Sequence, residues 1–320
     1  MAKIRLQTTA SIEEAFKDFI FSKRAKGLAE KTLVSYQFHF KSIARYLDVT
    51  QELAELQKAD LETMISQMRD SGLAANSILS YTRTLKSFFS WCNVEGMTRL
   101  NIPLYKGEET IKETYTDGEL ALLLKKPDTR KCNFAEYRDW VIINFLLNSG
   151  SRAATIRAIH IRDVDLENSL VYYRHTKNRK TQVIPLCSQM VSVLREYLRF
   201  RKGGDNDFLF CTETGGELTE SCLRQSIARY NRRRGVQKTS IHLFRHTFAR
   251  KYLIDCGGNA FTLQKLLGHS TLAMTKHYCT IFDADITKNY DLFSPLAQLQ
   301  KPKERITRWK QLSNESPATS

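Results

Sequence analysis

Glycine and proline are scarce, 14 and 6 among 320 residues. That excludes a collagen-like or low-complexity chain and leans toward helix. Long hydrophobic runs are also lacking. The most apolar stretch, Trp140 to Leu147, is short and interrupted by Asn144, whereas a spanning helix needs ~20 apolar residues. Met1 to Ala10 is charged and carries no apolar signal core. Cysteine pairs are missing. Cys92, Cys132, Cys187, Cys211, Cys222, Cys256 and Cys279 stand singly, odd in number and without a C-x-x-C. This argues against a zinc knuckle, a redox motif or a disulfide framework, and for reduced thiols in a cytosolic protein with no membrane partner. There is no H-E-x-x-H and no Walker loop. Asp163 and Asp165 lie close together but read as a solvated turn, so neither metal nor cofactor is expected.

Positive charge is abundant: 49 Lys and Arg against 34 Asp and Glu, a net +15. So basic a chain points to a polyanion, with nucleic acid ahead of an anionic membrane surface. Hydrophobic residues make up 42%, and the length suits two domains.

The first 96 residues read as four helices. Ser11 and Glu14 form a capping box, followed by Ile12, Phe16, Phe19 and Ile20 on one face and a stop at Gly27. Leu33, Tyr36, Phe40, Ile43 and Leu47 recur at helical spacing. Asp60 is placed as the cap of a third helix with Leu61, Met64, Ile65 and Met68 inward. A fourth spans about Asn76 to Asn93, with Ile78, Tyr81, Leu85, Phe88, Phe89 and Cys92 on its apolar side and Arg83 and Lys86 opposite. These aromatic stripes read as core. Periodicity fades over 97–115, around Pro103 and Gly107, which reads as a linker.

A second capping box, Thr116 to Glu119, opens a domain assigned to 116–290. A helix over about Phe134 to Asn148 is apolar on most sides and therefore central, with Gly150 at its end. Leu170 to Tyr173 and Val183 to Leu186 read as a β-hairpin around the polar stretch His175 to Thr181. Helices follow at Ser188 to Lys202, Thr219 to Arg233, Ile241 to Cys256, Asn259 to Leu267 and Thr271 to about Thr280. Residues 291–320 hold a helix end and a basic, polar tail. Asp283 to Leu299 keeps enough apolar residues for a last helix docking on this subunit or a neighbour.

The charge is clustered. Cys222 to Ser240 holds no acidic residue but carries Arg224, Arg229, Arg232, Arg233, Arg234 and Lys238. The hairpin adds Arg174, Lys177, Arg179 and Lys180. Such clusters suit phosphate contacts. Without a metal signature, phosphodiester chemistry needs fixed cations, a proton carrier and a protein nucleophile. That set occurs in order: Arg152 after the Gly150 turn, Lys177 in the hairpin loop, His242 and Arg245 three apart on one helix face, His269 after Gly268, and Tyr278. Each alone reads as an ordinary surface or core residue.

Together, the order R, K, H-x-x-R, L-G-H and T-x-x-Y resembles the tyrosine recombinase (phage integrase) family. The segments carrying it are Ile241 to Ala249, Leu267-Gly268-His269-Ser270 and Thr275-Lys276-His277-Tyr278. The resemblance covers about residues 11 to 290 and looks most like Xer-type or mobile-element recombinases. It implies a mainly α fold with a small β-hairpin or sheet: a two-domain DNA clamp of a four-helix core-binding domain and an α+β catalytic domain of the DNA breaking-rejoining type. It implies that Tyr278 attacks the scissile phosphate to give a 3′-phosphotyrosyl bond, with His242 taking the phenol proton. Arg152, Arg245 and His269 would hold the nonbridging oxygens, and Lys177 would protonate the leaving 5′-oxygen, with neither metal nor ATP. It implies double-stranded recombination sites as partner, a homo-tetramer on paired DNA with the C-terminal helix docked on a neighbour, and a bacterial, nucleoid-associated setting. Only about ten residues precede the first helix, so an arm-binding domain is not expected. The family commonly has an acidic residue where Thr155 stands. Two alternatives remain: a topoisomerase-like nicking enzyme, and a noncatalytic DNA-binding accessory protein on the same fold. An RNA-binding module ranks last.

Overall fold

The computed structural model describes residues 10–103, 105, 113–174, 181–276 and 296. The chain divides into two compact units, Met1–Ile111 and Lys112–Ser320.

The first unit holds α1 (Ile12–Ala25), α2 (Glu30–Ile43), α3 (Lys58–Asp70) and α4 (Ala75–Val94). The capping box at Ser11 is formed: its backbone N–H donates to Glu14 Oε2 at 3.0 Å, and its hydroxyl accepts from Glu14 N–H. The stripes read from the sequence converge on an aromatic core in which Phe16 stacks on Phe40 at 3.8 Å and Phe88 meets Phe19 edge-on. Asp60 is not the cap of α3. The helix begins at Lys58, and the Asp60 carboxylate reaches back from the first turn to accept from Gln57 N–H at 2.8 Å.

The second unit holds α5 (Asp117–Leu124), α6 (Phe134–Ser149), α7 (Ala153–Arg157), β1 (Val164–Asp165), β2 (Leu170–Tyr173), β3 (Gln182–Pro185), α8 (Ser188–Arg201), α9 (Glu220–Arg233), α10 (Ile241–Arg250), α11 (Ala260–Leu267) and α12 (Leu272–Lys276). The strands form one antiparallel sheet, β1-β2-β3, with Val171 opposite Val164 and Ile184. The expected hairpin is present, and a third, two-residue strand extends it. α6 is central: Trp140 through Ile143, Phe145 and Leu146 are all buried, and α8, α9 and α10 pack around it.

The division between the two units falls within the segment read as a linker over 97–115, and residues toward its ends are packed: Ile102 lies in the core of the first unit and Tyr115 in that of the second. Loss of helical period there does not mean loss of burial. Two expectations are corrected. Asp163 is not part of a solvated turn. It is 1% exposed, and its carboxylate accepts from His160 N–H at 2.9 Å and Arg174 Nε at 2.7 Å; only Asp165 serves the exposed turn, accepting from Asn168 N–H at 2.9 Å. The helix read over Ile241 to Cys256 stops being α-helical at Arg250 and continues as a π-turn over Lys251–Asp255. Gly258 lies so close that a Cβ there would fall 2.2 Å from the Tyr252 ring. No helix among the described residues is long and apolar enough to cross a membrane.

Candidate active site

Two helix ends frame the site. α6 terminates at Gly150 in the left-handed conformation, φ 59°, a geometry that favours glycine. The approach is also tight: a Cβ at Gly150 would lie 2.4 Å from Phe248 Cδ1 and 2.8 Å from Leu267 Cδ2. α11 ends in the same way at Gly268, φ 61°, where a Cβ would meet Gln182 Oε1 at 2.8 Å. These turns let Arg152 and His269 leave their helices within reach of α10.

Arg245 projects from α10 into the gap and is 5% exposed. Its Nη1 donates to Gly150 O at 2.8 Å, and its Nη2 to Leu267 O at 2.9 Å. The same Nη2 lies 2.7 Å from His269 Nε2. Arg152 Nη1 donates to the same Leu267 carbonyl at 3.4 Å. A guanidinium remains charged and offers a planar fork of donors, so two converging forks beside an imidazole make a centre suited to an oxyanion. His269 Nδ1 lies 2.9 Å from Thr275 Oγ1, a fully buried hydroxyl on α12.

The sheet is tied to both turns. Tyr173 of β2 shares a short hydrogen bond with Ser151, whose hydroxyl is 2.7 Å from that of Ser149. Burial pushes the Tyr173 phenol up to about 12. Gln182 of β3 donates to Lys265 O and Leu266 O at 2.6 and 2.8 Å. The strands that precede and follow Lys177 in the chain are thereby fixed to the turns that carry Arg152 and His269. Sequence reading misses these ties, and misses Thr275 as more than part of a motif. A serine in an irregular segment, or a glutamine at the start of a short strand, gives no periodic signal that marks such a tie.

Of the residues read from the sequence, the structure brings together Arg152, Arg245 and His269. His242 is exposed at the start of α10, one turn before Arg245. Thr155 is half-buried on α7. Lys177, Arg179, Lys180 and Tyr278, and the helix expected over Asp283 to Leu299 apart from Leu296, lie outside the described residues. Arg83 and Lys86 are exposed on α4, and Arg224, Arg229, Arg232 and Arg233 on α9. Arg234 differs: its guanidinium donates to Lys125 O at 2.9 Å, approaches Glu136 at 3.5 Å and lies over the Tyr230 ring. Among the described residues no cluster of His, Cys, Asp or Glu is arranged to hold a metal ion.

Residues 14–96 match the N-terminal SAM-like domain of phage integrases, and residues 114–284 match the phage integrase family. Among curated relatives, tyrosine recombinase XerD of Staphylococcus haemolyticus is 29% identical over 299 residues, covering 89% of this chain and 99% of that protein. Tyrosine recombinase XerC of Thermodesulfovibrio yellowstonii is 26% identical, covering 86% and 94%. Among solved structures, the Tn1549 transposon integrase in complex with transposon right end DNA superposes with a TM-score of 0.72 at 18% identity, over 89% of this chain and 99% of that one. The XerH site-specific recombinase bound to a palindromic difH substrate gives 0.68 at 20% identity, over 88% and 85%. These structures share the fold. With the family match spanning most of both units, the chain belongs to the phage integrase family and is a site-specific tyrosine recombinase.

Proposed function

We propose that this recombinase cuts and rejoins double-stranded DNA through a 3′-phosphotyrosyl intermediate on Tyr278, in the integration, excision or transposition of a mobile element. The observation that carries this reading is the convergence of Arg152, Arg245 and His269 around the Leu267 carbonyl. Two guanidinium forks and an imidazole at one point match the charge that develops on the nonbridging oxygens of an attacked phosphodiester. Arg152 and Arg245 clamp those oxygens, and His269 stands against the Arg245 fork and orients it.

The remaining roles are those that the family resemblance implies. A phenol has an ordinary pKa of ~10 and needs a base at neutral pH, a role given to His242. Attack by the Tyr278 oxygen forms the P–O bond to the protein and breaks the bond to the 5′-oxygen, which takes a proton from Lys177. The phosphodiester energy stays in the tyrosyl link, so a 5′-hydroxyl from a partner strand reverses the step with neither metal nor ATP. Exposed arginines on α9 and the Arg83–Lys86 face of α4 bind backbone phosphates. The two units are proposed to act as a clamp on the duplex, with core-binding residues 1–96 and catalytic residues 116–290. The working form is a homo-tetramer on paired sites, with Asp283 to Leu299 docked on a neighbour. A solved relative is described as a lambda integrase tetramer bound to a Holliday junction, and the transposon integrase neighbour lends the mobile-element role its support.

Covalent trapping tests the proposal. Protein is incubated with element-end DNA nicked near the cleavage position, with chelator and without ATP. A denaturant-resistant adduct that disappears in Tyr278→Phe is expected. Tight, specific binding without an adduct favours the accessory-protein reading instead.

A further inference from the structure

Thr275 is fully buried on α12, and its hydroxyl oxygen lies 2.9 Å from His269 Nδ1. The other ring nitrogen, Nε2, lies 2.7 Å from Arg245 Nη2. A guanidinium only donates. Nε2 must therefore accept, the ring proton sits on Nδ1, and Thr275 Oγ1 receives it. A histidine whose one nitrogen is committed has its tautomer and ring plane fixed by the partner of the other. Thr275 is that partner. It also stands three residues before Tyr278 on the same stretch of chain.

From this geometry we infer that Thr275 is the positioning residue of the active site. Through His269 it locks the tautomer that mates with Arg245, and it anchors the segment bearing the nucleophile to the arginine centre. The inference rests on the reading of Tyr278 as nucleophile and goes beyond it by naming what fixes the nucleophile's segment. Arg245 Nη2 also donates to Leu267 O, and Nη1 donates to Gly150 O, so the chain Gly150–Arg245–His269–Thr275 runs from the end of α6 to α12. A nucleophile displaced by about 1 Å loses on the order of 10²-fold in rate, which makes such a tether consequential. Packing alone does not explain it, because valine fills the same volume without accepting the Nδ1 proton.

The test compares Thr275→Val, Thr275→Ser, His269→Ala and the double variant Thr275→Val/His269→Ala. Cleavage of nicked DNA is followed in a single turnover, and site affinity is measured separately. Thr275→Val is expected to slow cleavage about 10- to 100-fold at unchanged affinity, Thr275→Ser to restore it to within about threefold, and the double variant to cleave no more slowly than His269→Ala alone. Wild-type cleavage by Thr275→Val, or an equal further slowing in the His269→Ala background, overturns the inference. Nitrogen NMR of histidine-labelled wild-type protein gives a readout independent of activity and of how the variants fold. The Nδ1–H tautomer at His269 is expected, and an Nε2–H tautomer overturns the inference. If wild-type protein forms no Tyr278-dependent adduct while His269 shows the Nδ1–H tautomer, the nucleophile reading has failed and the tether to α12 stands as structure without a catalytic role.

Discussion

Arg152 and Arg245 donate to one carbonyl oxygen, that of Leu267, at 3.4 and 2.9 Å. The two arginines are 93 residues apart in the chain. They meet on a backbone atom of the residue just before the left-handed turn at Gly268. Replacing Arg245 by lysine keeps the charge but loses the fork. We expect Arg245→Lys to bind DNA normally and to cleave at least ~100-fold more slowly in the adduct assay. Arg245→Ala also removes the side-chain donor of Gly150 O and leaves Leu267 O only the longer contact from Arg152, and should lower stability by about 1–3 kcal/mol. Near-wild-type cleavage by Arg245→Lys would contradict the clamp.

Gly150 is the next prediction. Its φ of 59° and the 2.4 Å approach of Phe248 to a would-be Cβ combine backbone strain with overpacking. Gly150→Ala should lose about 2–4 kcal/mol, read from the midpoint of chemical denaturation. A loss under about 0.5 kcal/mol would mean that the turn adapts freely.

How much of this is legible in the sequence follows from the kind of signal each residue gives. The stripe Ile78, Leu85, Phe88 and Phe89 repeats at helical spacing, so α4 is readable to within a residue at either end. Arg152, Arg245 and His269 are readable as a set because their order carries the resemblance. Asp163 misleads, because a lone carboxylate before a short strand looks the same whether it faces water or Arg174. The π-turn after Arg250 is invisible, since one extra residue per turn leaves the local composition unchanged. Ser151, Tyr173 and Gln182 make contacts that depend on chain reversals far away in sequence, and no local pattern encodes them.

The buried pair Arg138–Asp139 offers a third test. The two are 3% and 4% exposed, bonded at 2.8 Å, with Arg138 also donating to Cys211 O at 2.8 Å. Burial raises the Asp139 carboxyl, against the lowering effect of Arg138. Arg138→Met leaves that carboxylate without its cation and should cost about 3–5 kcal/mol, and Arg138→Met/Asp139→Leu should recover most of it. A double variant no more stable than Arg138→Met would contradict this.

Alkaline stability has a defined sign. Burial raises the phenols of Tyr115, Tyr137, Tyr173, Tyr197 and Tyr230 above 10.0, Tyr173 to about 12. The folded state holds these protons more tightly than the unfolded chain. Their contribution is therefore whole below about pH 10 and is lost as pH rises from about 10 toward 12 and beyond. Ultraviolet titration should show these five tyrosines ionising only as the fold is lost. All 13 tyrosines titrating together near their ordinary pKa of ~10 with the fold intact would contradict it.

The basic helix α9 separates binding from structure. Arg224→Ala, Arg229→Ala, Arg232→Ala or Arg233→Ala should each weaken DNA binding across sequences, and each residue that contacts a phosphate should reduce the salt slope by about 1. Arg234→Ala should instead lower the unfolding midpoint and leave the salt slope unchanged, because its guanidinium is spent on Lys125 O and Glu136. An Arg234 variant that shifts the salt slope and not the midpoint would reverse that assignment.

The central claim is that Tyr278 carries the DNA. Its most direct test is to trap the adduct on end-labelled nicked DNA, digest it, and sequence the modified peptide by mass spectrometry. The account predicts one modified peptide, linked through the Tyr278 oxygen to a 3′-phosphate, with a free 5′-hydroxyl on the released strand. Attachment at another residue, or to a 5′-phosphate, would contradict it.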